Sequence, residues 1–149
     1  MDLTGVGRTL AEQSGVISRR QVLGRGGSDT FIETRLRRRE WAIVHRGIYV
    51  DHTGEPRWQQ RAWAAALFYW PAALSHESSL EVHRIRTSGD HQAVIHVAVD
   101  QKRRVRAIEG VRVHRVTNLS AMVQPNRSPA RVRLEHSLID VASTTARDE

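Results

Sequence analysis

Three of the four residues from Gly24 to Gly27 are glycine, and they follow at once on a complete helix-start signal, Ser18-Arg19-Arg20-Gln21. In such a box the Ser18 hydroxyl accepts from the Gln21 amide while the Gln21 side chain reaches back to the Ser18 amide. Ile17 and Val22 flank it at the N′ and N4 positions of a hydrophobic staple. A helix must therefore begin at Ser18, and the glycines must stop it within two turns. Few architectures use a helix this short, and the residues on either side narrow the choice.

Before it, Val6, Leu10 and Ala11 form a small apolar stripe on a first helix that Gly15 stops. After it, a third helix starts at Ser28 or at Thr30, where Glu33 would complete a second capping box, and runs through Arg38. Ile32 and Leu36 share one face and point to the core. At 100° per residue Thr30, Thr34 and Arg37 lie opposite, with Arg38 on the flank. Trp41 to Val44 and Gly47 to Val50 read as two strands joined through His45 and Arg46 in a hairpin. Helix, capped helix, helix and hairpin within residues 1–50 is the order of a winged helix-turn-helix, whose third helix enters the major groove while the hairpin lies along the backbone. On that reading Thr30, Thr34, Arg37 and Arg38 face base edges, and Arg19, Arg20 and Arg46 contact the phosphodiester backbone.

Charge agrees with this. The chain of 149 residues carries 23 Lys+Arg against 16 Asp+Glu, a net charge of +7, which favours polyanionic partners. Nine arginines against five acids fall in the first fifty residues, so the excess per residue is about twice as dense there. With no cysteine, a disulfide framework and Cys-ligated zinc are excluded. The longest apolar candidate, Ala62 to Leu74, is too short for a membrane span and contains Pro71. Without a basic or apolar leader after Met1, a cytoplasmic protein is expected.

Residues 51–55 read as a linker, and 56–149 as a small α/β domain. Pro56 fits the first turn of a helix carrying Trp58, Ala62, Ala65, Ala66 and Tyr69, closed by Pro71. Ser75 caps a helix reaching His83. Ala93 to Val99 and Val111 to Val113 alternate as strands around a charged hairpin loop at Gln101 to Glu109. Ser128-Pro129 opens a last helix with Leu134, Leu138 and Val141 inward. That helical pattern is still running at Glu149, so the second domain is expected to be cut short at its C-terminus.

Chemistry finds little footing. His76-Glu77 with His83 has the wrong spacing for two ligands one turn apart, since i and i+7 lie about 10 Å apart along a helix. His96 and His114 sit on strands and can stack across a sheet face, but a third ligand is not visible. Asp100-Gln101-Lys102, with Glu77 or Glu81 upstream, resembles the tail of a nuclease pattern, but a charged hairpin loop is the reading to prefer. No phosphate loop, dinucleotide fingerprint or nucleophile elbow occurs. Neither catalytic residues nor a metal or cofactor is expected.

The wording of the chain resembles a family at three places: Gly15-Val16-Ile17-Ser18-Arg19-Arg20-Gln21-Val22, the stretch Trp41 to Val50 with His45-Arg46-Gly47-Ile48-Tyr49-Val50, and Leu74-Ser75-His76-Glu77-Ser78-Ser79. Over most of residues 5–125 it is similar to the AbiEi-type antitoxins of bacterial abortive-infection systems, in their actinobacterial form. The resemblance implies a winged helix that binds inverted repeats in its own promoter as a repressor, a homodimer on that DNA, and an α/β domain that antagonises a nucleotidyltransferase-like toxin. It also implies that Ser75 to Ser79 is a structural helix start. Proteins with a similar N-terminal region continue into an endonuclease domain of the very-short-patch-repair type, so the alternative is the DNA-targeting front of such an enzyme. A third possibility is a basic protein-interaction module working through Lys102 to Arg106.

Overall fold

The structure is a computed structural model that describes residues 3–82, 94–123 and 129–148. Helices and sheets are mixed in an α/β fold, and the chain divides into two units, Met1–Phe68 and Tyr69–Glu149. The first unit runs α1 (Thr4–Glu12), β1 (Val16–Ser18), α2 (Arg19–Gly24), α3 (Asp29–Arg37), β2 (Ala42–His45), β3 (Ile48–Val50) and α4 (Trp58–Phe68). Its three strands form one antiparallel sheet in the order β1-β3-β2.

The expected capping box is present. The Gln21 amide donates to Ser18 Oγ at 3.2 Å, and the Ser18 amide donates to Gln21 Oε1 at 3.0 Å. Gln21 is itself steadied by a reciprocal amide pair with Gln13, whose Nε2 also donates to the Val16 carbonyl. The α3 helix is capped by Ser28, which accepts from the Phe31 amide at 3.1 Å, so Ser28 rather than Thr30 starts it. It ends at Arg37. Arg38 is the C-cap, and Arg39 takes a left-handed φ of 57°.

The strand β1 was not anticipated. It is three residues long, and Val16, Ile17 and Ser18 are all buried. Alternating side chains serve opposite faces of the sheet. Ile17 and Tyr49 pack with Val6, Val22, Ile32 and Trp41 under the three helices. Val16, Ile48 and Val50 face the other way, onto Ala64 and Leu67 of α4. The helix expected to open the second domain therefore belongs to the first unit, and the boundary falls at Phe68/Tyr69 rather than in residues 51–55. Buried Gln60 ties α4 down: its Oε1 accepts from the Arg57 amide at 3.0 Å, and its Nε2 donates to the Ser14 carbonyl at 2.9 Å.

In the second unit, β4 (Ala73–Leu74), β5 (Ile95–Asp100) and β6 (Val111–Val116) form a sheet in that order, with α5 (His76–Val82), α6 (Leu119–Met122) and α7 (Leu134–Asp148). Here one expectation is overturned. The strands β5 and β6 pair in parallel, from Ile95↔Val111 to Asp100↔Val116, so residues 101–110 are a crossover and not a hairpin loop. The crossover is held by the Arg103 guanidinium, which donates to the carbonyls of Tyr69 (2.6 Å) and Pro71 (2.8 Å), and by the Tyr69 hydroxyl donating to the Arg106 carbonyl.

The last helix begins at Leu134 and not at Pro129, because Arg131 and Val132 bridge to Leu74 and Val123 as extended chain. The side chain of Val132 is fully buried with Ala73 and Ala98. Leu138, expected to face inward, is 46% exposed. The helix end at His83, the strand start at Ala93 and the opening at Ser128 lie outside the described residues.

The turn between α2 and α3 is where the glycines matter. A Cβ on Gly27 would lie 2.5 Å from Val22 Cγ1 and 3.0 Å from the Val22 carbonyl oxygen, whereas one on Gly24 would meet nothing within 4 Å. Gly27→Ala is expected to lower the unfolding free energy by about 1–3 kcal/mol through overpacking against backbone. Gly24→Ala should leave it unchanged or raise it by about 0.5–1 kcal/mol. Urea denaturation of the two variants checks this, and equal effects would show that the turn relaxes.

Candidate nucleic-acid interface

Packing Ile32 inward and Leu36 against the same cluster turns the opposite side of α3 to solvent. Thr30 and Arg37 are exposed there, and Arg38 is exposed just beyond the last turn. Thr34 is half-buried, and its hydroxyl donates to the Thr30 carbonyl at 2.9 Å. This back-bond leaves its methyl group and a lone pair to offer outward. Arg35 does not belong to this face: it lies over the Phe31 ring at 5.1 Å and pairs with Glu40.

The three residues assigned to backbone contacts behave differently from one another. Arg46 and Arg20 are exposed with no acidic partner among the described residues. Arg46 sits in the hairpin turn, which Gly47 closes with a φ of 76°, a conformation a side chain rarely adopts. Arg19 is engaged from two sides. Its amide donates to the Gly47 carbonyl at 2.8 Å. Its guanidinium forms a fork on Asp29, Nε to Oδ1 at 2.7 Å and Nη2 to Oδ2 at 2.8 Å. The hydrogen bonds hold the Asp29 carboxyl below its ordinary range and raise the Arg19 guanidinium further. Both side chains are about half exposed, so the pair contributes little to stability. It does place the start of α2, the start of α3 and the hairpin turn against one another. Asp29 is the residue that sequence reasoning missed, and only its place in the first turn of α3 hinted at a role.

The second unit assembles a different cluster. The rings of His76, His96 and His114 stack, with centroids 3.7 Å apart for His76 and His114 and 5.3 Å for His96 and His114. His96 Nδ1 lies 3.0 Å from His114 Nε2, His76 Nδ1 lies 3.1 Å from Ser75 Oγ, and Glu77 Oε2 is 3.4 Å from His96 Nε2. The third histidine that the strand pattern could not supply thus comes from the start of α5, where His76 has a φ of 51°. Stacked rings do not converge their lone pairs, and among the described residues no three His, Asp or Glu side chains are arranged to hold a metal ion. The serines beside them are fasteners: Ser78 Oγ accepts from the His96 amide at 2.8 Å, and Ser79 Oγ donates to the Val132 carbonyl at 2.8 Å.

Burial lowers all three imidazole pKa values, outweighing Asp140 and Glu77 at His76 and Glu77 at His96. His114 is pushed down to about 3 by burial, reinforced by His76, His96 and Arg112. Among the described residues no helix is long and apolar enough to cross a membrane. Compared with known proteins, the chain matches no protein-family model and no curated protein.

A histidine with a depressed folded-state pKa binds more protons when unfolded, so its contribution to stability is intact above about pH 6.5 and is lost as the pH falls toward the folded value. The melting temperature is therefore expected to fall between about pH 6.5 and pH 4, and His114→Asn should flatten that slope. Thermal melts across this window measure it, and an unchanged slope in the variant would refute the assignment.

Proposed function

We propose that the first unit is a winged helix-turn-helix that reads double-stranded DNA, with α3 in the major groove and the β2-β3 hairpin as its wing. The observation that carries this reading is the exposed Thr30, Arg37 and Arg38 surface of α3, presented by a helix-turn-helix packed on a sheet of order β1-β3-β2. Arginine grips guanine O6 and N7 bidentately, and a threonine hydroxyl serves bases or phosphate. Arg20 and Arg46 add phosphate contacts.

The wording at Ser18, His45 to Val50 and Leu74 to Ser79 supports the further reading as a cytoplasmic autoregulator of the antitoxin type. It would repress its own operon from inverted repeats as a dimer, with the second unit acting against a nucleotidyltransferase-like toxin. This makes it a regulator without catalytic residues or a cofactor of its own.

The test is a fluorescence titration against the DNA upstream of its own gene and a scrambled control, at two salt concentrations. A preference for the upstream DNA that persists at the higher salt is expected; equal binding that collapses with salt would reduce the +7 charge to a backbone attraction. Arg37→Ala should cost about 1–3 kcal/mol on the upstream DNA and little on the control, whereas Arg46→Ala should weaken both and reduce the salt slope by about 1. Equal losses on both DNAs for both variants would sink this division. Asp29→Asn releases the Arg19 guanidinium, so it should strengthen binding to the control DNA and steepen the salt slope, while a weaker complex would mean that the Arg19–Asp29 fork is needed for docking.

A further inference from the structure

An open groove of about 820 Å³ lies between the crossover of residues 101–110 and β6. Its floor is apolar, with half-buried Val105, Val111 and Val113. Arginines line it as well: Arg103 and Arg104 from the crossover and Arg115 from the same side of β6 as Val111 and Val113, while Arg112 lines it from the strand but alternates to the other face, toward the histidine stack.

Two of these are held in place by carbonyl oxygens: Arg103 by Tyr69 and Pro71, and Arg115 by Gln101 at 2.8 and 3.2 Å. Neither has a carboxylate partner, and Arg104 and Arg112 are exposed with no ion pair among the described residues. The strand β6 is also the edge of the sheet β4-β5-β6, and its outer side pairs with nothing among the described residues. An edge unpaired among the described residues, apolar lining and anchored cations are three separate requirements of one kind of ligand.

We propose that this groove binds an extended acidic segment of a partner protein, in which carboxylates alternate with small apolar side chains. Such a segment would add to the β6 edge through main-chain hydrogen bonds. One set of side chains would then lie on the valines while the carboxylates meet the guanidinium forks. Nucleic acid fits the groove less well. A duplex is read by elements that protrude into its grooves, the major one about 12 Å wide, and not by a concavity. Single strands are held on aromatic stacking platforms, and no aromatic side chain among the described residues lines this groove. The inference rests on the second unit alone and is independent of what the first unit binds.

The full chain of 149 residues is titrated into a fluorescein-labelled peptide of about twelve residues alternating Glu and Val, long enough to span the strand. Saturable binding is expected. Peptides alternating Gln and Val, or Glu and Ser, should bind at least about tenfold more weakly. The double variant Arg104→Glu/Arg115→Glu should lose the Glu–Val peptide while keeping its far-ultraviolet circular dichroism. Ala107→Phe, which narrows the groove without changing charge, should weaken binding as well, and Arg37→Glu in the first unit should leave it unaltered. The proposal is overturned if the Glu–Ser peptide binds as tightly as the Glu–Val peptide, or if Ala107→Phe has no effect. No saturable binding of the Glu–Val peptide, or loss of its binding in Arg37→Glu, would overturn it equally. An oligo-dT strand that binds more tightly than the peptide and is lost in the double variant would replace it with a nucleic-acid groove.

Discussion

Ser18 belongs to two elements at once, and the first unit is built on that sharing. Its backbone ends β1 opposite Ile48, and its side chain caps α2. A strand that becomes a helix without an intervening loop has no freedom in the angle between the two. The helix-turn-helix is thereby aimed by the sheet. The Gln13–Gln21 amide pair braces the junction from behind, and the Arg19 amide on the Gly47 carbonyl braces it from the hairpin. Hydrogen bonds of this kind contribute only about 1 kcal/mol each, yet together they decide which surface of α3 meets solvent.

The Arg19–Asp29 fork shows how position and charge are traded in such a surface. Arg19 stands where the proposed interface would use a phosphate contact, but an acid on the neighbouring helix already takes its Nε and one Nη2 donor. In the proposed interface the arginines without an acidic partner among the described residues are Arg20, Arg37, Arg38 and Arg46, which would separate positioning residues from contacting ones. The histidine stack makes a similar point in the second unit. Burial disfavours the charged form of all three imidazoles, and the stack they form joins the start of α5 to the sheet.

Local signals were legible where the physics is local. The capping box, the staple of Ile17 and Val22, the glycine stop and the hairpin all involve residues within a few positions, and each is present. Strand β1 was not legible because three residues buried on both sides show no alternation. The parallel pairing of β5 and β6 was hidden because two alternating runs look the same whether the chain turns back or crosses over. Of the candidate interface residues, Thr30, Arg37 and Arg38 emerge on the outward side because Ile32 and Leu36 fix the inward one. The engagement of Arg19 could not be foreseen, since ten positions and a turn separate it from Asp29. His76 likewise joins His96 and His114 only through the packing of a helix start on a sheet.

The covering of Val16, Ile48 and Val50 by α4 also says what the smallest transplantable piece of this fold is. A fragment ending at residue 50 would contain every element of the proposed recognition module and yet expose a hydrophobic sheet face to water, an invitation to self-association. Evolution, or a protein engineer, moving this module to another chain must carry the eleven residues of α4 along. The helix is the cover for the sheet face that the proposed reader would otherwise leave bare.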